Sequence, residues 1–198
     1  MSASRENVRD DPLQRLQQWI VDARATGAGD TPMALATADR HGRPSVRIVL
    51  LRGLDDRGLR FFTSYDSRKG CELAENPHAA AVFHWPELGR QARVEGAVSP
   101  LGDDESDAYF EARARGHQIG AWASEQSEPI ASREILNERF SHFEQRFDGE
   151  QVPRPHSWGG YLLAPTRIEF WEHRPNRMHD RLEYLRDANR WRARRLQP

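Results

Sequence analysis

A chain of 198 residues with 29 Lys and Arg against 30 Asp and Glu carries a formal net charge of −1, so no global basic field directs it to nucleic acid. A single cysteine, Cys71, excludes an intrachain disulfide framework and a cysteine-rich zinc site, and it fits a reducing compartment. The start is polar, without a signal-peptide pattern, and nowhere do about 18 apolar residues run together, so a cytoplasmic protein with no membrane span is expected.

Residues 1–10 have no apolar period and read as a disordered tail, with one domain expected over 11–198. Asp11 as N-cap, Pro12 at the first helical position, and Leu13, Leu16, Trp19, Ile20 and Ala23 at helical spacing predict an amphipathic helix. It should end near Gly27 and Gly29. Strands are then expected at 33–37, 46–52 and 59–63, joined by turns at 39–44 and 55–58. Ser67 caps a short helix that stops at Asn76, with Cys71, Leu73 and Ala74 inward. Arg68 and Lys69 in its first turn oppose the helix dipole, a conflict that a bound anion would remove.

Two strands follow at 79–85 and 90–98, with Gln91, Arg93 and Glu95 on one face of the second and Ala92 and Val94 on the other. Helices are predicted at 103–115 and 132–147, the latter with Ile135, Leu136, Phe140, Phe143 and Phe147 on one stripe. Between them, residues 118–127 are rich in small side chains and do not read as a simple surface loop. Strands at 158–164 and 167–171, a turn at 176–181, and strands at 182–185 and 190–196 close the chain. The expected fold class is mainly β with flanking helices (α+β), built on an antiparallel barrel rather than a βαβ sheet. A mean hydropathy of −0.84 is polar for this size and leaves room for burial against a partner subunit.

The strongest local signal is the basic set Arg47, Arg52, Arg68 and Lys69 beside Thr63 and Ser67. Guanidinium forks, an ammonium and hydroxyls suit a phosphate-bearing ligand, the plain alternative being solvated surface charge. Arg177, His179 and Arg181 alternate, so in an extended segment they would share one face able to hold a second anion; otherwise this is a surface turn in which Asp180 pairs locally. The eight histidines show no metal-ligand spacing and no metal is expected. Neither Gly-x-Gly-x-x-Gly, a Walker loop nor Gly-x-Ser-x-Gly occurs. Trp122, Trp158 and Trp171 read as core or interface anchors, Trp171 being placed to border a flat ring.

Taken in order, several stretches resemble the pyridoxine (pyridoxamine) 5'-phosphate oxidase family. They are Arg-Ile-Val-Leu-Leu-Arg at 47–52, Phe-Phe-Thr-Ser-Tyr-Asp-Ser-Arg-Lys at 61–69, Gly-Arg-Gln at 89–91 and Gln-Ile-Gly-Ala-Trp-Ala-Ser-Glu-Gln-Ser at 118–127. Trp-Gly-Gly at 158–160, Ile-Glu-Phe-Trp at 168–171, Arg-Met-His-Asp-Arg at 177–181 and Arg-Leu-Gln-Pro at 195–198 continue the likeness, which spans residues 11–198.

The resemblance implies an FMN-binding split β-barrel and a homodimer with FMN at the subunit interface. It also implies an oxidase that converts pyridoxine or pyridoxamine 5'-phosphate to pyridoxal 5'-phosphate while reducing O2 to H2O2. By position, FMN would meet Arg47, Ile48, Val49, Leu50, Leu51 and Arg52, then Phe62, Thr63, Arg68, Lys69 and Gln91, and finally Gln126, Ser127, Trp171 and Arg181. The substrate would meet Arg52, Tyr109, Arg113, His117, Arg177, Met178 and His179, with Arg177 and His179 as the catalytic pair holding the pyridine ring. Arg52 stands where the family usually has Lys, and His117 where it usually has a small Ser-like residue, so altered phosphate recognition is expected. The leading segment is short, so a site with less cover is expected. Two alternatives share the barrel: a flavin oxidase of phenazine biosynthesis, and a non-catalytic flavin- or pyridoxal-phosphate-binding protein.

Overall fold

Asp11 opens the first helix, α1 (Pro12–Ala25), by accepting the Leu13 N–H at 2.9 Å, and Pro12 follows where no intrahelical donor is needed. The helix buries Leu13, Leu16, Trp19, Ile20 and Ala23, and the Trp19 ring meets Phe170 edge-on at 4.8 Å. These are features of a computed structural model that describes residues 11–27, 31–188 and 190–198; the tail expected over 1–10 lies outside the described residues, as does Gly29.

Strands β1 (Pro32–Ala38) and β2 (Pro44–Leu50) form an antiparallel hairpin that pairs Leu35 with Arg47. The Asp39 carboxylate sets its turn by accepting the N–H groups of His41 and Arg43, while Gly42 takes φ 75°. The expected continuation into residues 59–63 is different in detail. The chain leaves β2 at Leu50, passes Arg52 outside any strand, and makes a separate hairpin of β3 (Gly53–Asp55) and β4 (Gly58–Ser64).

Helix α2 (Arg68–Glu75) is capped by Ser67, followed by β5 (His78–Trp85), a 3₁₀ turn at Pro86–Leu88 and β6 (Arg90–Pro100). The side-chain alternation expected for β6 holds, with Ala92 and Val94 fully buried and Gln91, Arg93 and Glu95 partly exposed. The inward face of α2 matches expectation only at Leu73. Cys71 and Ala74 are exposed, and Lys69, Gly70, Glu72 and Leu73 are buried, because the bond that Lys69 donates to Thr63 and those that Glu72 accepts from Thr37 and Ser45 turn a polar face toward β1, β2 and β4.

The helix expected over 103–115 is broken. It ends as α3 (Asp103–Glu111), and a new helix, α4 (Arg115–Ala123), starts after a three-residue turn and takes up most of the segment 118–127. The Gln118 amide caps the break by donating to the carbonyls of Phe110 (3.0 Å) and Glu111 (3.2 Å). Helix α5 (Arg133–Arg146) follows with Ser132 as N-cap; Phe140 and Phe143 pack inward and Phe147 is buried just past its end, whereas Ile135 is exposed.

One long strand, β7 (Trp158–Glu172), replaces the two expected at 158–164 and 167–171. Pro165 is tolerated inside it because β6 shifts register between Glu95 and Gly96 opposite that point, so no ladder donor is required there. A 3₁₀ turn at Pro175–Arg177 leads to β8 (Asp180–Asp187) and β9 (Arg190–Leu196).

The nine strands among the described residues form one antiparallel sheet in the order β2-β1-β5-β6-β7-β4-β3, with β8 and β9 continuing from the second half of β7. The curled sheet wraps a core that includes Leu35, Phe61, Phe83, Val94, Leu163, Ile168, Phe170 and Tyr184. Each such side chain contributes about 1.5–3 kcal/mol through burial. A second cluster, Phe110, Ile119, Phe147, Val152 and Trp158, seats α3, α4 and α5 beside the mouth of the curl. Among the described residues no helix is long and apolar enough to cross a membrane.

Candidate active site

The sheet edge β2, the strand β4, the start of α2 and the helices α3 and α4 enclose a cleft of about 700 Å³. Its floor is cationic. Lys69 is only 6% exposed, and its Nζ donates to Thr63 Oγ1 at 2.9 Å and to Ser67 Oγ at 3.2 Å. An ammonium has three donors, so one remains for a ligand. Burial and the neighbouring Arg47 charge, partly offset by Glu72, push the Lys69 pKa down to about 8.

Arg47 reaches under β1: Nη1 donates to Leu35 O at 3.2 Å and Thr37 Oγ1 at 2.6 Å, and Nη2 to Ser45 Oγ and to Glu72 Oε2 at 3.3 Å. Arg68 donates through Nε to Glu72 Oε1 at 2.9 Å. Burial alone would raise the Glu72 pKa, but bonds from Ser45, Thr37, Arg68 and Arg47 outweigh it and hold the carboxyl down at about 2. Ile48, Val49 and Leu50 complete this side of the cleft. Leu51 does not join them: it is 7% exposed, packs into the main core and donates its N–H to Thr31 O, because the chain turns there toward β3.

The opposite wall is aromatic. The rings of Phe62 and Tyr109 stack at 3.8 Å and 12°, and Trp158 lies nearly parallel to Phe62 at 5.7 Å and 15°. Gly160 makes this possible, since a Cβ there would stand 2.7 Å from the Phe62 ring and 2.5 Å from Leu101. Arg113 lies over the Trp158 ring with its guanidinium carbon 4.5 Å from the centroid. Its Nη1 is buried without a hydrogen-bond partner. Burial lowers the Arg113 pKa; Tyr109 pulls it partly back up, and the nearby Arg52 charge adds a smaller lowering. Arg52 and His117 also line the cleft.

At the far rim, Gln126 Oε1 accepts from Thr63 Oγ1 at 2.9 Å and from the Ser64 N–H at 3.3 Å. Ser127 lines the same rim with φ 79°, an unusual value for a residue other than glycine. An unpartnered buried guanidinium nitrogen, a spare ammonium donor and a stacked aromatic wall fit a flat ligand bearing phosphate.

Gln91, Trp171 and Arg181 lie elsewhere, in register across β6, β7 and β8. The Glu169 carboxylate, 4% exposed, accepts the Arg181 Nε–H at 2.7 Å, and Arg181 Nη1 donates to Gln197 O at 3.0 Å. The Trp171 ring stands 4.5 Å from the His179 ring. Arg177, Met178 and His179 do not form the extended segment that would align Arg177, His179 and Arg181 on one face. Asn176 and Arg177 both have positive φ (59° and 60°), and His179 Nδ1 folds back to accept the Arg174 N–H at 3.2 Å. Asp180 pairs locally with Arg174 at 2.6 Å and Arg195 at 3.1 Å. None of these residues lines the cleft, so one chain carries the expected site residues as two separate groups.

Glu72, Thr37 and Ser45 were not among the residues expected from sequence. The signal available for Glu72 was its position one helical turn after Arg68.

Residues 22–147 match the family model described as pyridoxamine 5'-phosphate oxidase, and residues 158–198 match the pyridoxine 5'-phosphate oxidase C-terminal dimerisation region. The pyridoxine/pyridoxamine 5'-phosphate oxidase of Rubrobacter xylanophilus is 52% identical over 189 residues, covering 95% of this chain and 87% of that protein. Its counterpart from Cupriavidus taiwanensis is 50% identical, covering 98% and 92%. Among solved structures, PhzG from Burkholderia lata in complex with tetrahydrophenazine-1-carboxylic acid matches with a TM-score of 0.92 at 34% identity, covering 100% and 98%. An FMN-binding protein of Nostoc punctiforme shares the fold alone, with a TM-score of 0.75 at 18% identity over 100% of each chain. With a family model across most of its length and half of its residues shared with full-length relatives, the chain belongs to the pyridoxamine 5'-phosphate oxidase family.

Proposed function

We propose that this protein is an FMN-dependent oxidase that converts pyridoxine 5'-phosphate or pyridoxamine 5'-phosphate to pyridoxal 5'-phosphate. The observation that carries this reading is the cleft itself. Its two cationic groups, Arg47, Arg68 and Lys69 on the floor and Arg113 with Arg52 on the wall, fit two phosphates, one from a cofactor and one from a substrate. When bound, FMN would supply the redox chemistry, namely oxidation at the substrate's 4' carbon coupled to two-electron reduction of dioxygen to hydrogen peroxide.

The chain's own residues bind and orient. Lys69, Arg68 and Arg47 hold the cofactor phosphate, and Thr63, Gln126 and Ser127 supply hydroxyl and amide groups along the rim. Arg113 satisfies its buried Nη1 on the substrate phosphate, joined by Arg52, Tyr109 and His117. With Nδ1 accepting the Arg174 N–H, the neutral His179 ring carries its own N–H on Nε2 as a donor.

The site works as a dimer in this reading, with the cofactor at the subunit interface. A second copy brings its Gln91, Trp171 and Arg181 row, with Arg177 and His179, over the cleft. Support comes from the separation of the two groups, from the matched dimerisation region, and from Val46 (68% exposed) and Ile48 (65% exposed) at the cleft edge. Dioxygen as electron acceptor belongs to the same proposal.

The 34% identity to PhzG supports a second reading, oxidation of a tricyclic phenazine precursor. Oxygen uptake by FMN-loaded protein separates the two. Turnover with pyridoxine or pyridoxamine 5'-phosphate is expected, and turnover with the phenazine precursor alone would favour the second reading. Flavin binding without turnover of either class would mean a non-catalytic binding protein.

A further inference from the structure

Beneath the cationic floor lies a carboxylate that does not line the cleft. Glu72 is 6% exposed, and both of its oxygens are occupied. Oε1 accepts from Arg68 Nε at 2.9 Å; Oε2 accepts from Thr37 Oγ1 at 2.5 Å, Ser45 Oγ at 2.6 Å and Arg47 Nη2 at 3.3 Å. One side chain thus ties β1, β2 and α2 together at the point where the two guanidinium groups meet the cleft. We propose that Glu72 is the positioning residue of the phosphate cradle, holding Arg47 and Arg68 in place before any ligand arrives and setting the cradle's charge for a single phosphate dianion. The proposal rests on the reading of this cleft as the FMN site.

Three cations, Arg47, Arg68 and Lys69, surround this carboxylate, so the floor carries a net +2, the complement of a phosphate monoester dianion. Without Glu72 the same groups would form an unbalanced cluster around a largely buried ammonium, and mutual repulsion would spread the two arginines. Arg68 has a side chain 66% exposed, and its bond to Glu72 fixes the Nε edge of the guanidinium. Its Nη nitrogens are left for a ligand.

Two consequences of the carboxylate oppose each other: its charge repels a phosphate, and its hydrogen bonds orient the groups that attract one. Orientation dominates, because Glu72 lies outside the cleft lining, whereas Arg47, Arg68 and Lys69 line it. The contribution therefore falls on phosphate recognition and leaves contacts with the flavin ring alone.

The test compares FMN with riboflavin, which lacks the phosphate, by quenching of flavin fluorescence on titration into the apoprotein. Wild-type protein should bind FMN more tightly than riboflavin. Glu72→Gln, nearly isosteric, and Glu72→Ala should each weaken FMN binding about tenfold or more, as removal of one partner of a buried charged hydrogen bond does, with riboflavin unchanged. Glu72→Asp should recover part of the loss. FMN binding that is unchanged or tightened in Glu72→Gln would overturn the proposal. Equal weakening of both flavins would overturn it too, because Glu72 would then support the fold rather than the cradle. A wild-type apoprotein that does not prefer FMN to riboflavin would overturn the reading of the cleft itself.

Discussion

The guanidinium carbon of Arg113 lies 4.5 Å from the centroid of the Trp158 ring, and its Nη1 is sealed from solvent with no acceptor. The ring contact holds the cation in place, and the unsatisfied nitrogen stores a desolvation penalty that an incoming anion relieves. Arg113→Ala should raise KM for a phosphorylated substrate by roughly ten- to a hundredfold, the range of a charged hydrogen bond worth about 1.5–3 kcal/mol. FMN retention should barely change. Steady-state oxygen uptake alongside flavin content checks both, and equal loss of the two would reassign Arg113 to the cofactor.

Lys69 makes flavin binding depend on pH. In the unfolded chain a lysine keeps its proton up to about 10.4; in the folded apoprotein Lys69 releases it near 8. Between these values the unfolded state binds more protons, so this group makes apoprotein stability rise with pH over that window. It is destabilising below pH 8, where a buried charge must be kept. A bound phosphate reverses the preference by favouring the ammonium. FMN affinity should fall as pH rises from 8 to 10, and Lys69→Arg, whose charge persists, should flatten that profile in fluorescence titrations.

If the two groups of site residues meet only across a dimer, two variants that are each impaired when assayed at substrate below the wild-type KM should rescue each other. Arg113→Ala damages the cleft and Arg177→Ala the β7–β8 turn, and a mixed dimer carries both lesions at one site and neither at the other. Co-refolding equal amounts should restore roughly a quarter of wild-type activity, since random pairing makes about half the dimers mixed, each with one intact site of two. No recovery in dimers shown to be mixed would place both residues in the same chain's site.

Glu183 has 0% side-chain exposure and is held by Arg167 at 2.5 Å and by Arg194. Burial would raise its pKa, yet the bonds from Arg194 and Arg167 prevail and lower it. Its stabilisation is therefore present above the carboxylate's unfolded pKa and is lost as pH falls through the lower folded value. Glu183→Ala removes the buried carboxylate that two partly exposed arginines share and should destabilise the protein by about 1.5 kcal/mol, seen as a lower Tm. A variant melting at the wild-type temperature would mean that solvent already screens the pair.

Much of the fold was legible because local chemistry and packing agree. Asp11, Ser67 and Ser132 announce helix starts, and the alternation in residues 90–98 gives the two faces of β6. Legibility failed where a polar side chain overrode an apolar pattern. The phase of α2 is set by Lys69 and Glu72 reaching inward, which a search for apolar stripes assigns to Cys71 and Ala74. The break between α3 and α4 depends on Gln118 capping carbonyls seven and eight residues earlier, a contact without a sequence period. Arg47, Arg52, Arg68 and Lys69 could be named from residue type, and Arg113 only through the family resemblance. The separation of Arg177 and His179 from them could not, because it depends on paired strands far apart in the chain and on positive φ at two residues that are not glycine.

The most direct test of the oxidase reading is an anaerobic single turnover. FMN-loaded protein mixed with pyridoxamine 5'-phosphate in the absence of oxygen should lose its yellow colour, yield one pyridoxal 5'-phosphate per flavin, and regain the colour on admission of air with release of hydrogen peroxide. A flavin that stays oxidised with both pyridoxamine and pyridoxine 5'-phosphate would contradict it.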